Sequence, residues 1–570
     1  MIAATQERPA VVKGPTQAER ERREEYRKRF EALKQERSSW ESTWRDCADN
    51  TRPDAYRHVT DKKNDGKRKD TQIINTTPIA AVRTLASGMM SGLTSPSRPW
   101  FRLSMADANV LENQAAKTWL SDVEQRIREE MLKSNVYSKL AELYVDVAII
   151  GTAVLYVEEG SEGIRAYLFP AGQFCLANDA ELKVSTVYRE FSMTAGQMVE
   201  RFGEDKVSPT VRNAYREKRV DQWFDVCLVI EPNTNYVEGK IGPQGKAWRT
   251  CWFEASTSTD AGFLRESGYD ERPFMAVRWE TSGEDVYGRC PARDALGDCK
   301  ALQLRERRSA QLVDKLTNPP MRAPASLQGA RISMLPGSVT HVDGLTQGQV
   351  FAPAYEIRPE AVAVVDNRIE KLEASIKRMF YADLFLLLTE TEGQMTAREV
   401  SERREEKLLQ LGSVLERFLN ELLSPLITRI YGILLRAGKL PPAPPQIAGR
   451  EFKVEYISIM AQAQKLLGTS NIERVIGFIG QMSAVKPEVV DKIDFDDAVD
   501  RYAEATGAPP SIVRTDDDVA KVRAARGQMQ QQQMAAQSAI DAAGAAKDLS
   551  QATVTQDNAL GAMLRNLGVR

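Results

Sequence analysis

Residues 384–400 read LFLLLTETEGQMTAREV, and the rest of the chain can be interpreted outward from this stretch. An apolar segment, Leu384 to Leu388, leads into a turn without a basic residue. The turn consists of Thr389, Glu390, Thr391, Glu392, Gly393 and Gln394. We therefore predict a short acidic loop between two ordered segments.

The helix after this turn has a well-specified start. Thr396 can accept a hydrogen bond from the backbone N–H of Glu399, and the Glu399 carboxylate can accept one from the N–H of Thr396. Met395 can pack against Val400 as a hydrophobic staple. We expect a loop anchored in this way to be held in place for a function.

Length and composition indicate a folded chain. The 570 residues allow about four domains of ~150 residues, or one interwoven subunit. Hydrophobic residues are 42% and charged residues 27%, which separates the chain from disordered sequences. The net charge of −2 argues against a broad basic face that grips nucleic acid, whereas transient contact with DNA stays open.

No transmembrane helix or signal peptide is evident. The nearly apolar stretch Val145 to Val157 contains Asp146 and is too short for a hydrocarbon core of about 30 Å. No apolar run follows the charges at the N-terminus. Six cysteines without a C-x-x-C pair argue against a disulfide framework or a zinc knuckle, so we expect buried free thiols in a cytosol-like space.

The first half of the chain is predicted to be an α+β body. Residues 1–24 are expected to form a flexible tail. The helix that follows carries an apolar stripe of Tyr26, Phe30, Leu33, Trp40, Trp44 and Cys47. A helix rich in small residues, starting at Thr77, should pack closely against a neighbour. Strands are predicted at Thr152–Val157, Val184–Tyr188, Val226–Ile230 and Trp248–Phe253.

Two long helices should form a hairpin before the acidic loop. The first begins at Cys290-Pro291, continues to about Leu316 and is closed by Asn318-Pro319-Pro320. The second begins near Pro359 and carries apolar residues at alternating spacings of three and four up to Met379. Residues 318–356, rich in glycine and proline, are predicted to be a compact β-like insert between them.

A helix of some forty residues is predicted after the loop. Pro425 lies inside it, so we expect a kink about one turn earlier, near Glu421. A strand is predicted at Phe452–Ile457, and a capped helix at Ser470–Glu473. From Thr515 onward the chain is rich in Ala and Gln, and this marginal helix would be stabilised by association with copies of itself.

Enzyme signatures are weak. Residues Gly242 to Ala247 resemble a phosphate loop only superficially and are predicted to be a hairpin turn. His58 and His341 are the only histidines, and neither lies in a metal-ligand pattern. The aspartates between Asp491 and Asp500 are predicted to start a helix rather than to bind calcium. We therefore expect no catalytic activity, no cofactor and no metal.

Four ordered segments resemble the podovirus-type head-to-tail connector, or portal, family over about residues 25–520. They are NTTP at 75–78 with SGLTSPSRPWF at 91–101, RPF at 272–274 with YGRCP at 287–291, MTAREV at 395–400, and ELLSP at 421–425. One departure is Cys290, where the family more often has serine, so the helix start should be slightly weaker.

The resemblance implies a subunit with wing, stem, clip and crown regions that assembles into a ring, typically dodecameric, around a central channel. On this interpretation residues 25–290 are the wing, 291–317 and 357–388 the stem helices, 318–356 the clip, and 389–395 the tunnel loop. Residues 396–450 would be a kinked wing helix with a proline-rich linker, 451–525 the crown, and 526–570 a helical barrel segment.

The resemblance also implies partners. These are double-stranded DNA in transit, the major capsid protein, a scaffolding protein, the terminase large subunit and tail adaptor proteins, with no membrane. The clip would dock terminase and tail through Asn318, Pro319, Pro320, Arg322, Arg331 and His341. The protein would belong to the virion's portal vertex and reside in the host cytoplasm during assembly.

Symmetry would repeat Glu390 and Glu392 into a collar that repels DNA phosphates, so that DNA slides rather than binds. The alternative is a cytosolic helical scaffold or interaction protein without a DNA channel. Annular particles would distinguish the first from monomers or rods expected of the second.

Overall fold

The computed structural model describes residues 16–61, 63, 66, 71–105, 114–160, 163–255, 262–322, 352–353, 358, 360–389, 411–445, 452–457, 475–482, 488, 492, 494–499 and 516–551. The chain divides into two compact units, Met1–Leu467 and Gly468–Arg570. Helices and strands are both abundant in the first unit, which confirms the α+β class.

The first helix, α1 (Gln17–Asn50), begins earlier than predicted. The Thr16 hydroxyl accepts a hydrogen bond from the Glu19 N–H at 3.3 Å, and the Glu19 carboxylate accepts one from the Thr16 N–H at 2.8 Å. This capping box fixes the helix start, so the prediction of a flexible tail up to residue 24 is wrong for residues 17–24. Residues 1–15 lie outside the described residues.

A five-stranded antiparallel sheet packs against α1, in the order β4-β5-β6-β7-β8. Its strands are β4 (Phe174–Asn178), β5 (Val184–Thr194), β6 (Trp223–Pro232), β7 (Trp248–Glu254) and β8 (Phe263–Tyr269). Tyr26, Phe30 and Leu33 of α1 bury against one face, which confirms the predicted stripe. Alternate residues of the same strands face the main core, as the period of two along a strand requires.

A second sheet, with the order β3-β2-β9, lies in the main core. It contains β2 (Thr152–Gly160), β3 (Gly163–Phe169) and β9 (Phe274–Arg278). All four predicted strands are confirmed, and each observed strand contains its predicted segment. The helices of this region are α2 (Thr77–Leu93), α3 (Gln114–Lys133), α4 (Val136–Ile150), α5 (Ala195–Phe202) and α6 (Pro209–Arg216).

The two long hairpin helices are present, but each is interrupted once. A short helix, α7 (Pro291–Asp294), is separated by Ala295 from α8 (Leu296–Thr317). The returning helix is α9 (Glu360–Met379), and α10 (Ala382–Thr389) follows a break at which Tyr381 has φ 54°. The prediction of one continuous helix over 357–388 is therefore wrong at residues 380–381. Cys290 precedes α7 without a capping hydrogen bond from the helix to its sulfur, as expected of a thiol, which instead donates to the Ile149 carbonyl at 3.0 Å.

Beyond the loop, the described chain resumes as α11 (Gly412–Arg417), a π-helical segment Phe418–Leu423 and α12 (Ser424–Arg436). Together, Gly412–Arg436 are long and apolar enough to cross a membrane by length and composition. Their apolar side chains, among them Phe418, Leu422 and Ile430, are buried in the main core, and core helices satisfy the same criterion.

Strand β12 (Phe452–Tyr456) pairs antiparallel with β1 (Phe101–Met105), so it belongs to the first unit. The predicted strand is confirmed, and it belongs to the first unit, whereas the predicted crown starting at residue 451 stays a prediction. The pairing joins residues about 350 positions apart, a contact for which local sequence patterns carry no signal.

The second unit is helical where it is described. Asp494 caps the helix at 495–499, because its carboxylate accepts the N–H groups of Asp496 and Asp497 at 3.1 and 3.2 Å. This confirms the predicted acidic helix start. The long helix α13 (Asp516–Gln551) is exposed along nearly all of its described side chains. The predicted helix start at Ser470–Glu473 lies outside the described residues.

Candidate functional site

The residues of the predicted acidic loop lie almost entirely outside the described residues. Thr389 is described as the last residue of α10, one position beyond the predicted helix end. Glu390, Thr391, Glu392, Gly393 and Gln394 follow it and are not described, nor are the anchor residues Met395, Thr396, Glu399 and Val400. The structure does describe the two segments that lead into and out of this region.

The segment that leads into the loop is seated on α2. Leu384 and Phe385 of α10 are buried in the main core. A Cβ atom built on Gly88 of α2 would overlap the Phe385 ring, so only glycine permits this approach. The small residues of α2 thus allow the close packing that was predicted, and α10 is fixed to the body.

Trp279 contacts residues on both sides of the loop. Its ring lies 6.0 Å from that of Tyr381, at the break before α10, and 6.2 Å from that of Phe418, in the π-helical segment. The Trp279 N–H donates to the Gly151 carbonyl at 2.9 Å, and its side chain is buried. One indole therefore packs against the described segments on either side of residues 390–410. Sequence reasoning missed Trp279, since nothing local to it marks these contacts.

The residue before this tryptophan holds the π-helical segment. The Glu421 carboxylate accepts hydrogen bonds from the backbone N–H of Arg278 at 2.9 Å and from its Nη2 at 2.6 Å. Arg278 is buried, and its Nη2 also donates to the Leu182 carbonyl at 3.2 Å. A buried, multiply bonded ion pair therefore joins β9 to the helix beyond the loop.

The helical hydrogen-bond pattern changes one turn before Pro425. The π-helical segment ends at Leu423, and Pro425 lies in the first turn of α12. Proline has no N–H to donate to the carbonyl four residues earlier, which is that of Glu421, and the wider turn accommodates this loss. The described feature at the predicted position is thus a π turn, while the size of any kink stays a prediction.

A second ion cluster fixes α12. The Arg429 guanidinium is buried, lies 4.7 Å from the centre of the Tyr269 ring and donates to Glu271 at 2.8 Å. Arg436 donates to the same carboxylate at 3.0 Å. Burial opposes the charge of Arg436, but the hydrogen bond that Arg436 donates to Glu271 and the negative charges of Glu271 and Asp270 together outweigh burial and raise the Arg436 pKa. A Cβ on Gly432 would overlap the Glu271 carboxylate, so this glycine makes room for the cluster.

The far end of the helical hairpin is closed by a two-stranded ladder of β10 (Met321–Arg322) and β11 (Ala352–Pro353). Among the predicted docking residues, Asn318 ends α8 by donating its N–H to the Asp314 carbonyl at 2.8 Å. Asn318 and Pro320 are exposed, and Pro319 is partly so. Arg322 pairs with Ala352 through the backbone. Arg331 and His341 lie outside the described residues.

The near end of the hairpin is joined to α2 by Asn75. Its Nδ2 donates to Glu306 of α8 at 2.6 Å and to Glu373 of α9 at 2.7 Å. Its Oδ1 accepts the N–H of Thr77 at 2.9 Å, at the start of α2. One amide therefore holds both hairpin helices to the body. Sequence reasoning noted this asparagine only as part of a motif.

Within the described residues, no group of three His, Cys, Asp or Glu side chains is placed to hold a metal ion. His58 lies next to Thr60, with Nδ1 2.8 Å from the hydroxyl oxygen.

Comparison with known proteins gives consistent matches. The sequence model of a family described as bacteriophage head to tail connecting protein matches residues 23–513. The chain is 40% identical over 544 residues to the portal protein of Salmonella phage epsilon15, covering 95% of this chain and 98% of that protein. It is 38% identical to the probable portal protein of Bordetella phage BPP-1, covering 93% and 96%.

A more distant relative is the portal protein of Escherichia phage T7, which is 22% identical over 283 residues, covering 48% of this chain and 49% of that protein. The family match at residues 23–513 includes the helical hairpin, the predicted loop and the segments described on both sides of it.

Proposed function

This chain belongs to the bacteriophage head-to-tail connecting protein family, and from that premise we propose that its copies close into a ring around a channel for double-stranded DNA. Its function is that of a phage portal protein, a structural component of the virion at the head-to-tail connection. The ring would be dodecameric. The family match over most of the chain carries this proposal, and it disfavours a cytosolic scaffold without a channel.

We assign the wing, stem, clip, tunnel loop and crown regions of such a subunit to the described elements. The wing would comprise the body from residue 17 to 290 together with α11, α12 and the β1–β12 pair. The stem would be α8 and α9, the clip residues 318–356, and the tunnel loop residues 390–395 after α10. The crown would begin after residue 467, and α13 would contribute to a helical barrel.

The anchoring of the segments before residue 390 and after residue 410 supports a loop with a fixed position in the channel. Phe385 is seated on Gly88, Trp279 packs against Tyr381 and Phe418, and the Glu421–Arg278 pair holds the segment beyond. A loop with fixed ends has fewer accessible conformations than a free one. In a ring, every copy would then present its loop at a similar radius.

The charge of this loop supports sliding rather than binding. Duplex DNA carries one charge per ~1.7 Å of its axis, and each cation that neutralises a phosphate adds salt-dependent affinity. Glu390 and Glu392, repeated by symmetry, would repel the phosphates and keep DNA away from the wall. Pro425 would let the helix beyond the loop change direction toward the body.

Docking would take place at the far end of the hairpin. Asn318, Pro319 and Pro320 would contact the terminase large subunit during packaging and tail adaptor proteins afterwards. Arg322, Arg331 and His341 would take part in the same contacts. The body would contact the major capsid protein and a scaffolding protein during assembly in the host cytoplasm.

The ring can be tested directly. We expect purified protein to form annular particles with a central hole in negative-stain images, with a mass by light scattering of a closed oligomer. Monomers or rods under all assembly conditions would overturn the ring.

The loop can be tested by charge reversal. Glu390→Lys with Glu392→Lys should slow DNA packaging and make its rate strongly dependent on salt, because the collar becomes a set of phosphate ligands. Glu200→Lys with Glu238→Lys is a matched control, since both residues are exposed on the body and the charge change is the same. Equal packaging rates in the two double variants would refute the electrostatic role of the loop.

A further inference from the structure

The hairpin of α8 and α9 has a defined register. The Ser309 hydroxyl lies 3.4 Å from the Asp366 carboxylate, and the Ser375 hydroxyl donates to Asp298 at 2.7 Å. Residue 309 is therefore level with residue 366, and the helices are antiparallel. With the register fixed, the residues that share each face of the hairpin can be identified.

One face is basic. On α8 it carries Arg305, Arg308 and Lys315, at spacings of three and seven, and on α9 it carries Arg368 and Lys371, at a spacing of three. The register places Arg308 level with Arg368, and Arg305 level with Lys371. Within the described part of the chain, none of these five side chains has an ion pair with an acid. Two pairs of like charges thus lie across this face.

The opposite face is mainly acidic, with one base on α9, Lys377, seven residues after Glu370. Glu306 and Glu373 both accept hydrogen bonds from Asn75, so they lie on the same side of the hairpin. Asp366 and Glu370 precede Glu373 by seven and three residues, which puts them on that side of α9, farther from Asn75. Both are exposed. The register places Glu370 level with Glu306, again two like charges side by side.

Large apolar side chains are exposed on both faces. Leu304 and Val364 are each four residues before a basic-face arginine and are 47% and 55% exposed. Val313 is seven residues after Glu306, on the acidic face, and is 43% exposed. Apolar groups among charges are typical of surfaces that become buried against another protein.

These observations favour one occupant for both faces. DNA would neutralise the basic face, but it would leave the acidic face unpaired and place Leu304 and Val364 against phosphates. A second hairpin of the same sequence, by contrast, supplies an acidic face for each basic face and apolar groups for both.

We propose that the basic face of the hairpin packs on the acidic face of the same hairpin in a second copy of this chain. The contact joins two different surfaces, so each copy offers one of each to its neighbours and the arrangement can close into a ring. The inference rests on the ring proposed above and identifies a surface that holds it together.

The test uses two charge-reversed variants of the full chain. Arg308→Glu with Arg368→Glu places two acids in the middle of the basic face, and Asp366→Lys with Glu370→Lys places two bases in the acidic face. Each should raise the protein concentration required for ring formation by at least about tenfold, which corresponds to ~1.4 kcal/mol. An equimolar mixture should restore rings to within about twofold of the unmodified protein, since alternating copies again present opposite charges.

The control is Arg307→Glu with Lys206→Glu, which changes the net charge by the same amount. Arg307 is exposed two residues before Ser309, on the side of α8 away from α9, and Lys206 is exposed outside the hairpin, so we expect normal assembly. Circular dichroism and thermal unfolding should show that all variants fold. Ring formation is read by negative stain and sedimentation at several salt concentrations.

Normal rings in both reversed variants would overturn this inference and leave the portal ring intact. The Arg308→Glu, Arg368→Glu variant could instead form rings normally and change the salt dependence of DNA packaging. That result would show that the basic face contacts DNA rather than a second copy. Unmodified protein that never forms rings would overturn the ring and this inference together.

Discussion

Replacing Glu421 by alanine should destabilise the fold at the point where the predicted loop returns to the body. The carboxylate accepts three hydrogen bonds from Arg278, from the backbone N–H, Nη2 and Nε, at 2.9, 2.6 and 3.2 Å. Its removal would leave a guanidinium whose side chain is only 6% exposed without its anion. Breaking a buried pair from one side costs about 3–5 kcal/mol.

The lower end of that range applies here. Arg278 keeps a hydrogen bond to the Leu182 carbonyl at 3.2 Å, and the Glu421 side chain is itself 19% exposed, so water can partly replace it. We therefore expect a loss of about 3 kcal/mol in the free energy of unfolding. The double variant Arg278→Met/Glu421→Met should lose less, because neither charge is then left buried alone.

Urea unfolding followed by tryptophan fluorescence measures this loss, since Trp279 directly follows Arg278 in the chain. Glu416→Ala is the matched control, because Glu416 is exposed on the same helical stretch, and its replacement should change stability by no more than about 0.5 kcal/mol. Equal shifts for Glu421→Ala and Glu416→Ala would refute the assignment of an anchoring role to the ion pair.

Two further changes test the body. Gly432→Ala should lower the free energy of unfolding by about 1–3 kcal/mol, because the added methyl group overlaps the Glu271 carboxylate. Gly297→Ala, whose methyl group meets open space, should leave the free energy of unfolding unchanged or raise it by up to about 1 kcal/mol. Thermal unfolding compares the two variants, and equal melting temperatures would contradict this expectation. Burial raises the pKa of Asp146 from 3.8 to about 7, so between these values the folded chain keeps a proton that the unfolded chain releases, and stability falls as pH rises. Asp146→Asn should remove this fall in stability with pH and should be about 1–3 kcal/mol more stable than the unmodified protein near pH 8. Urea titrations at several pH values measure the free energy of unfolding of both proteins, and parallel pH profiles would show that Asp146 does not cause the fall.

Local patterns in the sequence predicted much of the fold. The strand at Val226–Ile230 was identified by its run of β-branched residues, and the stripe from Tyr26 to Leu33 by its helical spacing. These signals are local because the apolar residues of a strand or an amphipathic helix recur at a fixed spacing along consecutive residues. The acidic helix start at Asp494 was found for the same reason.

Contacts between distant segments left no such pattern. The helix break at Tyr381 occurs within an otherwise continuous apolar repeat, and the structure shows it where Tyr381 meets Trp279. Likewise, β12 pairs with β1 across most of the chain. Each of these features depends on which distant segments contact each other, and the pattern of a single sequence does not predict those contacts.

In the ring proposed above, the position of the acidic loop would depend on the base that holds it more than on the loop itself. An acidic collar repels DNA evenly only if every copy holds its loop at the same radius, because the repulsion between charges changes with distance. The Trp279 contacts and the Glu421–Arg278 pair hold the segments described before residue 390 and after residue 410 to the body, which in the proposed ring would set that radius in each copy. Weakening the base should therefore disturb DNA passage even when Glu390 and Glu392 are unchanged, and loop charge and loop anchoring should act as separable determinants.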